Sequence, residues 1–332
     1  MKAIVIGSGR MGIRHISGLL KLNFINEIHV VDINQNSLNV AREQLNDKRN
    51  ICFFSTNIDF NNKYDLGIIS TTAKNRIILI ENLFTAGCKN ILIEKPLGQS
   101  KNEVNKLLEK LNQINVNCFV NLNMRLHECY IDLKNDFENL DQLHGEKIIS
   151  LNTGSVGIGA NGIHYLDFIF FLTQSDNAVL RYGHISKNII LSGRGSEFCD
   201  FGGNAIIDYY KKNKLMATFI ISINPNSSAF GNWNIVGKHA HININELESL
   251  RINRYRKIDS NLPTHRYNGD YLEAKKYSIE FPPLGDLTAV WATGIYEGKS
   301  LLPTVQESIK VHDLMFEWLN FSESHNDYFP IT

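Results

Sequence analysis

A glycine pattern directly after the first apolar run constrains the fold of this chain more than any other feature. The run KAIVIG (residues 2–7) leads into Gly7-Ser8-Gly9-Arg10-Met11-Gly12, which opens the amphipathic stretch MGIRHISGLLKL. In a G-x-G-x-x-G pattern, the first glycine permits a tight turn, the second lets a pyrophosphate approach the backbone, and the third lets helix and strand pack closely. Free N–H groups at the helix N-terminus then bind the phosphates. We therefore predict a strand–turn–helix unit whose six loop residues contact a dinucleotide.

An acidic residue at the end of the second apolar run supports this prediction. Asp32 closes the run EIHVVD, 20 residues after Gly12. At that place a carboxylate accepts hydrogen bonds from the adenosine ribose hydroxyls. Asp32 also repels a 2′-phosphate, so NAD is expected rather than NADP. Arg10 and Arg14 are candidates to offset that repulsion, and the alternative, favoured for Arg14, is a solvated face of the first helix. The alternative is a glycine turn in a doubly wound domain that binds nothing.

Short apolar runs alternate with amphipathic stretches over the first third of the chain. Strands are predicted at residues 2–7, 27–32, 51–54, 65–70, 90–94 and 117–122. Between several of them the apolar residues have helical spacing, as in NRIILIENLFTAG, which ends at a predicted C-cap glycine, Gly87. Such alternation builds a parallel sheet with helices on both faces.

The pattern changes near residue 125, where strands begin to predominate. A helix over 125–139, a strand over 146–152 and a helix over 161–172 precede further strands at 178–185, 203–210, 215–223, 231–237, 239–245 and 249–256. Polar turns between several of these strands indicate antiparallel hairpins. Helices over 284–298 and 304–320 close the chain. Because 332 residues are too many for one ordinary core, we predict two domains, over residues 1–122 and 123–332.

Composition excludes several classes of function. The chain has 34 basic and 34 acidic residues and a pI near 7.2, so it lacks the basic field of a nucleic-acid binder. It contains no run of about 20 apolar residues, which a membrane span needs, and no signal peptide is recognisable. Five scattered cysteines without C-x-x-C spacing indicate reduced thiols in a cytoplasmic enzyme. His239 and His241 share a strand face, but we expect a surface pair and no metal site.

A lysine at the end of the fifth apolar run is the first candidate for catalysis. Lys95 follows the run NILIE and precedes Pro96. Ligands of open α/β sheets bind beyond the carboxyl ends of the strands. Partial burial lowers the pKa of a lysine, so that it can take a hydroxyl proton near neutral pH. The alternative is a lysine that pairs with Glu94 or binds a carbonyl oxygen.

Four motifs together identify a family resemblance that covers nearly the whole chain. GSGRMGIRH, IEKPL, LNMR and GIHYLD, with the closing segment IYEGKSLLPTVQESIKVHDLMFEWL, resemble the glucose–fructose oxidoreductase / inositol dehydrogenase (Gfo/Idh/MocA) family. The resemblance implies a Rossmann domain followed by a substrate-binding and oligomerisation α/β domain with an open, largely antiparallel sheet. It also implies a homodimer or homotetramer joined through that sheet.

The resemblance assigns roles to residues of this chain. It implies that Lys95 moves the proton and contacts nicotinamide and substrate, and that His164 is its partner in catalysis. It implies substrate contacts from Arg125 and Asn161 as well, and cofactor contacts from Ser70, Thr71, Thr72, Arg76, Glu94 and Asn123. For Arg76 a surface role is the alternative, and for Asn123 and Arg125 a helix-start asparagine and a surface arginine.

One departure from the family pattern lies beside His164. Family members often carry an acid four residues before this histidine, where this chain has Ala160. Without that carboxylate, Lys95 and His164 share proton handling, or the chemistry differs from plain polyol oxidation. Asn161 is offset by one position, so it need not point the same way.

These observations predict an NAD(P)-dependent oxidoreductase that transfers hydride between nicotinamide and a sugar or sugar derivative. A nucleotide sugar of surface-glycan synthesis is the more specific candidate for the substrate. Two alternatives stay open. One is an NAD-dependent glycosidase or lyase that regenerates its cofactor, and the other is a non-catalytic cofactor-binding sensor on the same scaffold.

Overall fold

The computed structural model describes residues 1–154, 156–191, 195–257, 274–321 and 329–331. The chain divides into two units, one formed by residues 1–126 and 282–312 and the other by residues 127–281 and 313–331. The first unit thus includes residues that follow the second in sequence. We predicted that cofactor binding and substrate binding divide between residues 122 and 123, and this division of function stays a prediction.

Strands and helices alternate through the first 120 residues, close to the predicted bounds. In chain order the elements are β1 (Lys2–Ile6), α1 (Arg10–Leu19), β2 (Glu27–Val31), α2 (Gln35–Gln44), β3 (Cys52–Ser55), β4 (Leu66–Ile69), α3 (Arg76–Thr85), β5 (Asn90–Ile93), α4 (Lys101–Leu111) and β6 (Asn117–Val120). Among the described residues these strands form one parallel sheet in the order β3-β2-β1-β4-β5-β6.

Burial of the central strands explains their sequence pattern. Ala3, Ile4 and Val5 of β1 have no exposed surface, and Leu66 and Ile68 of β4 have none either. A strand covered on both faces needs apolar residues at successive positions and not only at alternate ones. The strand order brings the carboxyl ends of β1, β4 and β5 side by side, which is the edge where ligands of such sheets bind.

The remaining elements are mostly strands. They are α5 (Glu128–Asn139), β7 (Lys147–Gly154), α6 (Ile163–Thr173), β8 (Asn177–Leu191), β9 (Cys199–Lys211), β10 (Lys214–Asn224), β11 (Asn232–Val236), β12 (Ala240–Asn245), β13 (Leu250–Tyr255), β14 (Lys275–Ser278), α7 (Leu284–Tyr296) and α8 (Val305–Leu319). Within the described ranges, β7 to β14 form one sheet in the order β14-β13-β12-β11-β7-β10-β9-β8. Only β7 and β10 pair in parallel, so the predicted fold class, a Rossmann domain plus a largely antiparallel α/β domain, is confirmed.

The two faces of this second sheet differ in exposure. Ile149 and Leu151 of β7 are buried, as is Phe219 of β10, whereas Ile148 and Ile220 on the opposite face are 52% and 41% exposed. This alternation follows from the two-residue period of a strand. One face therefore packs in the core of the second unit, and the other keeps apolar side chains at the surface.

Three local features differ from the predictions. The predicted helix over 125–139 is interrupted at its start, since Asn123–Leu126 forms a 3₁₀ turn and His127, with extended backbone, precedes α5. A π turn, Ile158–Gly162, precedes α6. Strand β14 was not predicted, because its four residues are polar or exposed and lack apolar alternation. No helix in the described part of the chain is long and apolar enough to cross a membrane.

Candidate functional site

The glycine loop has the geometry that its three glycines predict. Gly7 adopts a φ of +96°, a left-handed conformation that other residues rarely take. A Cβ atom on Gly12 would lie 1.9 Å from the Gly7 carbonyl oxygen, so only glycine lets α1 pack this closely on the turn. A Cβ on Gly9 would meet nothing within 4 Å. The backbone at Gly9 is therefore open to a ligand.

The N-terminus of α1 is left without a protein cap. Its N-cap residue, Gly9, has no side chain to accept a hydrogen bond, and no acidic residue lies in the first turn. The first N–H groups of a helix have no acceptors within the helix. Together with the helix dipole, they make this end suited to an anionic phosphate.

Asp32 lies against the glycine loop. Its Oδ2 accepts hydrogen bonds from the Ser8 backbone N–H at 2.7 Å and from the Ser8 hydroxyl at 3.0 Å, and its Oδ1 accepts from the Asn34 N–H at 2.9 Å. The carboxylate thus links the end of β2 to the loop after β1. From this position a carboxylate can accept hydrogen bonds from the ribose hydroxyls and repel a 2′-phosphate.

The segment after β4 borders the same loop. The Ser70 hydroxyl lies 2.8 Å from the Gly7 carbonyl oxygen, to which it can donate, and Thr71 and Thr72 are half-buried. Arg76 is only 3% exposed, and its Nη2 lies 3.5 Å from the Thr71 carbonyl oxygen. The surface role considered for Arg76 is therefore wrong, because its guanidinium is buried beside the end of β4.

A buried polar cluster holds the residue before Lys95. Glu94 is 1% exposed, and its Oε1 accepts hydrogen bonds from the Asn121 amide at 2.7 Å and from His15 Nε2 at 2.9 Å. The other ring nitrogen of His15, Nδ1, lies 2.8 Å from the Thr288 hydroxyl of α7. Elements α1, β6 and α7 thus converge on the end of β5.

The charge of Glu94 follows from these partners. Burial raises the pKa of the Glu94 carboxyl and is the largest single effect, whereas the hydrogen bond and charge of His15 lower the pKa. The nearby charge of Lys95 and the Asn121 amide lower the pKa as well, to about 2. Glu94 is therefore ionised at neutral pH. Its Oε2 is buried and finds no hydrogen-bond donor among the described residues.

The residue after the Lys95–Pro96 pair is held by a second histidine. His312 Nδ1 lies 2.9 Å from the Ser308 carbonyl oxygen, which can only accept, so Nδ1 carries the proton. His312 Nε2 then accepts the Leu97 N–H at 3.1 Å. Lys95 itself is 9% exposed, and the Lys95–Pro96 peptide bond is cis. The backbone of Lys95 is thus fixed on both sides, by His15 through Glu94 and by His312 through Leu97.

Sequence reasoning missed four residues of this arrangement. They are His15, Asn121, Thr288 and His312, and each is buried. For two of them a sequence signal exists, since a polar residue on the apolar face of α1 or α8 requires a partner in the core. The identity of that partner is not visible in the sequence.

The other predicted residues lie on two short helical segments. Asn123 and Arg125 are half-buried in the 3₁₀ turn that follows β6. Asn161 lies in the π turn of the second unit, and His164 is the second residue of α6, where it is half-buried. Their contacts with substrate or cofactor stay a prediction.

Comparison with protein families agrees with the geometry of the glycine loop. The model of the Gfo/Idh/MocA family, described as an oxidoreductase family with an NAD-binding Rossmann fold, matches residues 1–122. Residues 1–122 are thus similar to the NAD-binding domain of the Gfo/Idh/MocA oxidoreductases. The predicted family, enzyme class and cofactor, NAD, are thereby confirmed. No curated protein matches the sequence.

The residues of this Gfo/Idh/MocA domain fit NAD. The open backbone at Gly9 and the uncapped start of α1 suit the pyrophosphate, and Asp32 suits the adenosine ribose. Glu94 Oε2 is an unsatisfied buried acceptor beside the ligand edge of the sheet. Such atoms in native proteins commonly mark a partner that binds there.

Solved structures extend the likeness of fold to nearly the whole chain. An oxidoreductase from Agrobacterium radiobacter, in complex with NAD+, L-tartaric acid and magnesium, is 14% identical over 98% of this chain and 97% of its own, with a TM-score of 0.72. UDP-N-acetylglucosamine 3-dehydrogenase from Acidithiobacillus ferrooxidans is 15% identical over 98% of each chain, with a TM-score of 0.69. GenD2 from gentamicin A biosynthesis, in complex with NAD, is 12% identical over 98% of this chain and 95% of its own, with a TM-score of 0.67. At these identities the comparison shows a shared fold.

Proposed function

We propose that this Gfo/Idh/MocA member oxidises a hydroxyl group of a sugar or sugar derivative with NAD, or catalyses the reverse reaction. The observation that carries the proposal is the Glu94–Lys95 segment, held by buried hydrogen bonds at the end of β5, on the same edge of the sheet as the glycine loop. Bound NAD supplies the hydride acceptor. Oxidation of an alcohol also requires a nearby base, such as an amine, that takes the hydroxyl proton.

Lys95 is the proposed acid–base group. The residue is 9% exposed, and its backbone is fixed on both sides by buried histidines. A positioned amine can take the hydroxyl proton in oxidation and return it in reduction. Because Ala160 carries no acid, we propose that His164 shares this proton handling with Lys95.

The substrate is proposed as a nucleotide-linked sugar. One neighbour in fold supports this choice, since it is a UDP-N-acetylglucosamine 3-dehydrogenase. Initial rates of NADH formation with UDP-N-acetylglucosamine, myo-inositol and L-tartrate would test it. Turnover of the polyol or the hydroxy acid alone contradicts the nucleotide-sugar proposal. Release of an aglycone without net NADH formation would indicate the glycosidase or lyase alternative instead.

The lysine is tested by Lys95→Met, which removes the amine and keeps an unbranched side chain of similar length. We expect nearly unchanged NAD affinity and a rate lower by roughly 10²–10⁴-fold, the usual contribution of an acid–base group. The Lys95→Met, His164→Ala double variant should be little slower than Lys95→Met, because groups that act as a unit are not additive. A Lys95→Met enzyme within a few-fold of wild type would contradict the proposed role.

We also propose that the protein is a cytoplasmic homo-oligomer, a dimer or a tetramer, joined through the exposed face of the second sheet. Five apolar side chains on that face, each at least one-third exposed, support this: Ile148, Tyr182, Ile206, Ile220 and Val236. Their registers place Tyr182 beside Ile206, and Ile206 beside Ile220. All five cysteines are unpaired, in agreement with a reducing compartment.

A further inference from the structure

A carboxylate from β9 lies at the start of the helical segment that carries His164. We propose that Asp200 is a positioning residue for His164, because its carboxylate caps this segment from outside and fixes the backbone of residues 158–164. The inference deepens the proposed function and rests on it, since Asp200 is assigned a role only through His164.

The contacts of Asp200 show that it holds backbone. Its Oδ1 accepts hydrogen bonds from the Gly159 N–H at 3.0 Å and from the Phe201 N–H at 2.8 Å. Its Oδ2 accepts from the Ala160 N–H at 2.7 Å. The side chain is 5% exposed. Both carboxylate oxygens are therefore used to bind main-chain donors in the core of the second unit.

These contacts replace a missing helix cap. The N-cap residue of the segment is Gly157, which has no side chain, and no acidic residue lies in the first turn. The N–H groups of Gly159 and Ala160 would otherwise be left without acceptors, as at any helix start. A carboxylate at this end also interacts favourably with the helix dipole. Asp200, on strand β9, thus accepts hydrogen bonds from these N–H groups as a local N-cap side chain would.

The shape of the segment depends on the same carboxylate. A Cβ atom on Gly157 would lie 2.0 Å from Cγ of Asp200, so the carboxylate occupies the space that a side chain at residue 157 would need. The Gly157 carbonyl oxygen accepts from both Asn161 and Gly162 at 2.9 Å, which makes the π turn. A π turn is rare and needs tertiary support. Asp200 supplies that support by binding two consecutive N–H groups within the turn.

His164 follows this turn by two residues. Its direction is therefore determined by how the π turn joins α6, and Asp200 holds that junction. A catalytic group displaced by about 1 Å can lose roughly 10²-fold in rate. The N–H groups of Gly159 and Ala160 that Asp200 binds belong to the turn before His164, so we expect its effect on the reaction to run through the placement of His164.

The test is Asp200→Asn, which keeps the size of the side chain but turns one of the two acceptors into a donor that faces a backbone N–H. Histidine side chains labelled with ¹³C are followed by NMR, and the His164 signal is assigned with His164→Gln. We expect the His164 ring signals to shift in Asp200→Asn, while the affinity for NAD stays at the wild-type value. The matched control is Asp176→Asn, which weakens a carboxylate contact to the Lys212 N–H beyond the opposite end of α6 and should leave the His164 signals in place.

Kinetics with UDP-N-acetylglucosamine and NAD provide the second measurement. We expect kcat/KM to fall roughly 10- to 100-fold in Asp200→Asn, with no further loss when the substitution is added to His164→Gln. Unchanged His164 ring signals in Asp200→Asn overturn the role of Asp200 alone. A His164→Gln rate within a few-fold of wild type overturns the proposed function of His164 instead. If Asp200→Asn does not fold, Asp200→Ser, a smaller cap residue, is measured in its place.

Discussion

We expect the choice between NAD and NADP to depend on a single carboxylate, that of Asp32. Asp32 accepts hydrogen bonds from the Ser8 backbone N–H and hydroxyl, which holds its carboxylate against the glycine loop. A hydrogen bond to a charged group contributes about 1.5–3 kcal/mol, which is roughly 10- to 100-fold in affinity. We expect NADH to bind more tightly than NADPH by a factor in that range, and Asp32→Ala to narrow the gap.

Fluorescence titration of both reduced cofactors measures this preference. Asp59→Ala, in a loop where Asp59 binds the Asn61 N–H and the Asn62 side-chain amide, is the matched control and should leave the preference intact. Equal or tighter binding of NADPH by the wild-type protein would show that Asp32 does not select the cofactor.

The buried pair of Glu94 and His15 gives a pH-dependent prediction. Removing one partner of a buried pair costs about 3–5 kcal/mol, so Glu94→Gln should lower the free energy of unfolding by that order at pH 7. The pKa of Glu94 is lowered to about 2 in the folded chain. Its stabilisation is therefore complete above the ordinary carboxyl pKa and is lost as pH falls through the folded value.

Urea unfolding at pH 7 and pH 3 tests this prediction. The difference in the free energy of unfolding between wild type and Glu94→Gln should be smaller at pH 3 than at pH 7. Glu81→Gln, which removes one partner of the surface pair with Lys110, is the control and should change stability little at either pH. A constant difference across this range would mean that Glu94 is not ionised in the folded protein.

Strand β7 begins with a lysine whose burial is unfavourable. Lys147 is 4% exposed, donates to the Gly145 carbonyl oxygen at 2.6 Å and lies 5.2 Å from the Phe137 ring centroid. Burial, together with the charge of Lys214, lowers the pKa of Lys147 to about 8. Between this value and the ordinary lysine pKa, the unfolded chain binds more protons than the folded chain. Stability should therefore rise with pH through that window.

Lys147→Met replaces the ammonium by an apolar group of similar length. We expect the variant to be more stable than wild type at pH 7, by about 1–2 kcal/mol after the loss of the hydrogen bond is subtracted. This advantage should shrink near pH 10. Thermal unfolding at both pH values measures it, with the exposed Lys106→Met as control. A variant less stable than wild type at pH 7 would contradict the prediction.

For the molecule as a whole, the exposed face of the second sheet predicts self-association. Ile206 and Ile220 pair across β9 and β10 and are 36% and 41% exposed. Contiguous apolar surface of this kind typically marks an interaction site. We expect wild type to scatter light as a dimer or tetramer at micromolar concentration, and Ile220→Lys to shift it to the monomer.

The matched control for this substitution is Ile33→Lys. Ile33 is 95% exposed after β2 and lies outside the second sheet, so the change adds the same charge without touching the proposed interface. A wild-type protein that is monomeric under these conditions would rule out the interface.

The local sequence pattern was sufficient to predict the helices and strands named above and part of the site. Burial of β1 on both faces required the continuous run AIVI, and the packing of α1 on the turn required Gly12. These features involve neighbours in sequence, so periodicity and spacing reveal them. The same holds for Asp32, whose distance from the glycine loop is set by one helix and two strands. Strand β14 escaped prediction because its residues carry no apolar alternation.

The environment of Lys95 depends on contacts that spacing does not encode. His15 meets Thr288 across 273 residues of sequence, and Leu97 meets His312 across 215. Likewise, Asp200 on strand β9 binds the N–H of Ala160, which is distant in sequence. Periodicity indicates which face of a helix or strand is buried, but not which buried faces meet, because that is determined by the packing of the whole domain. The motif therefore identified the lysine, and the folded chain supplied the histidines that fix its backbone.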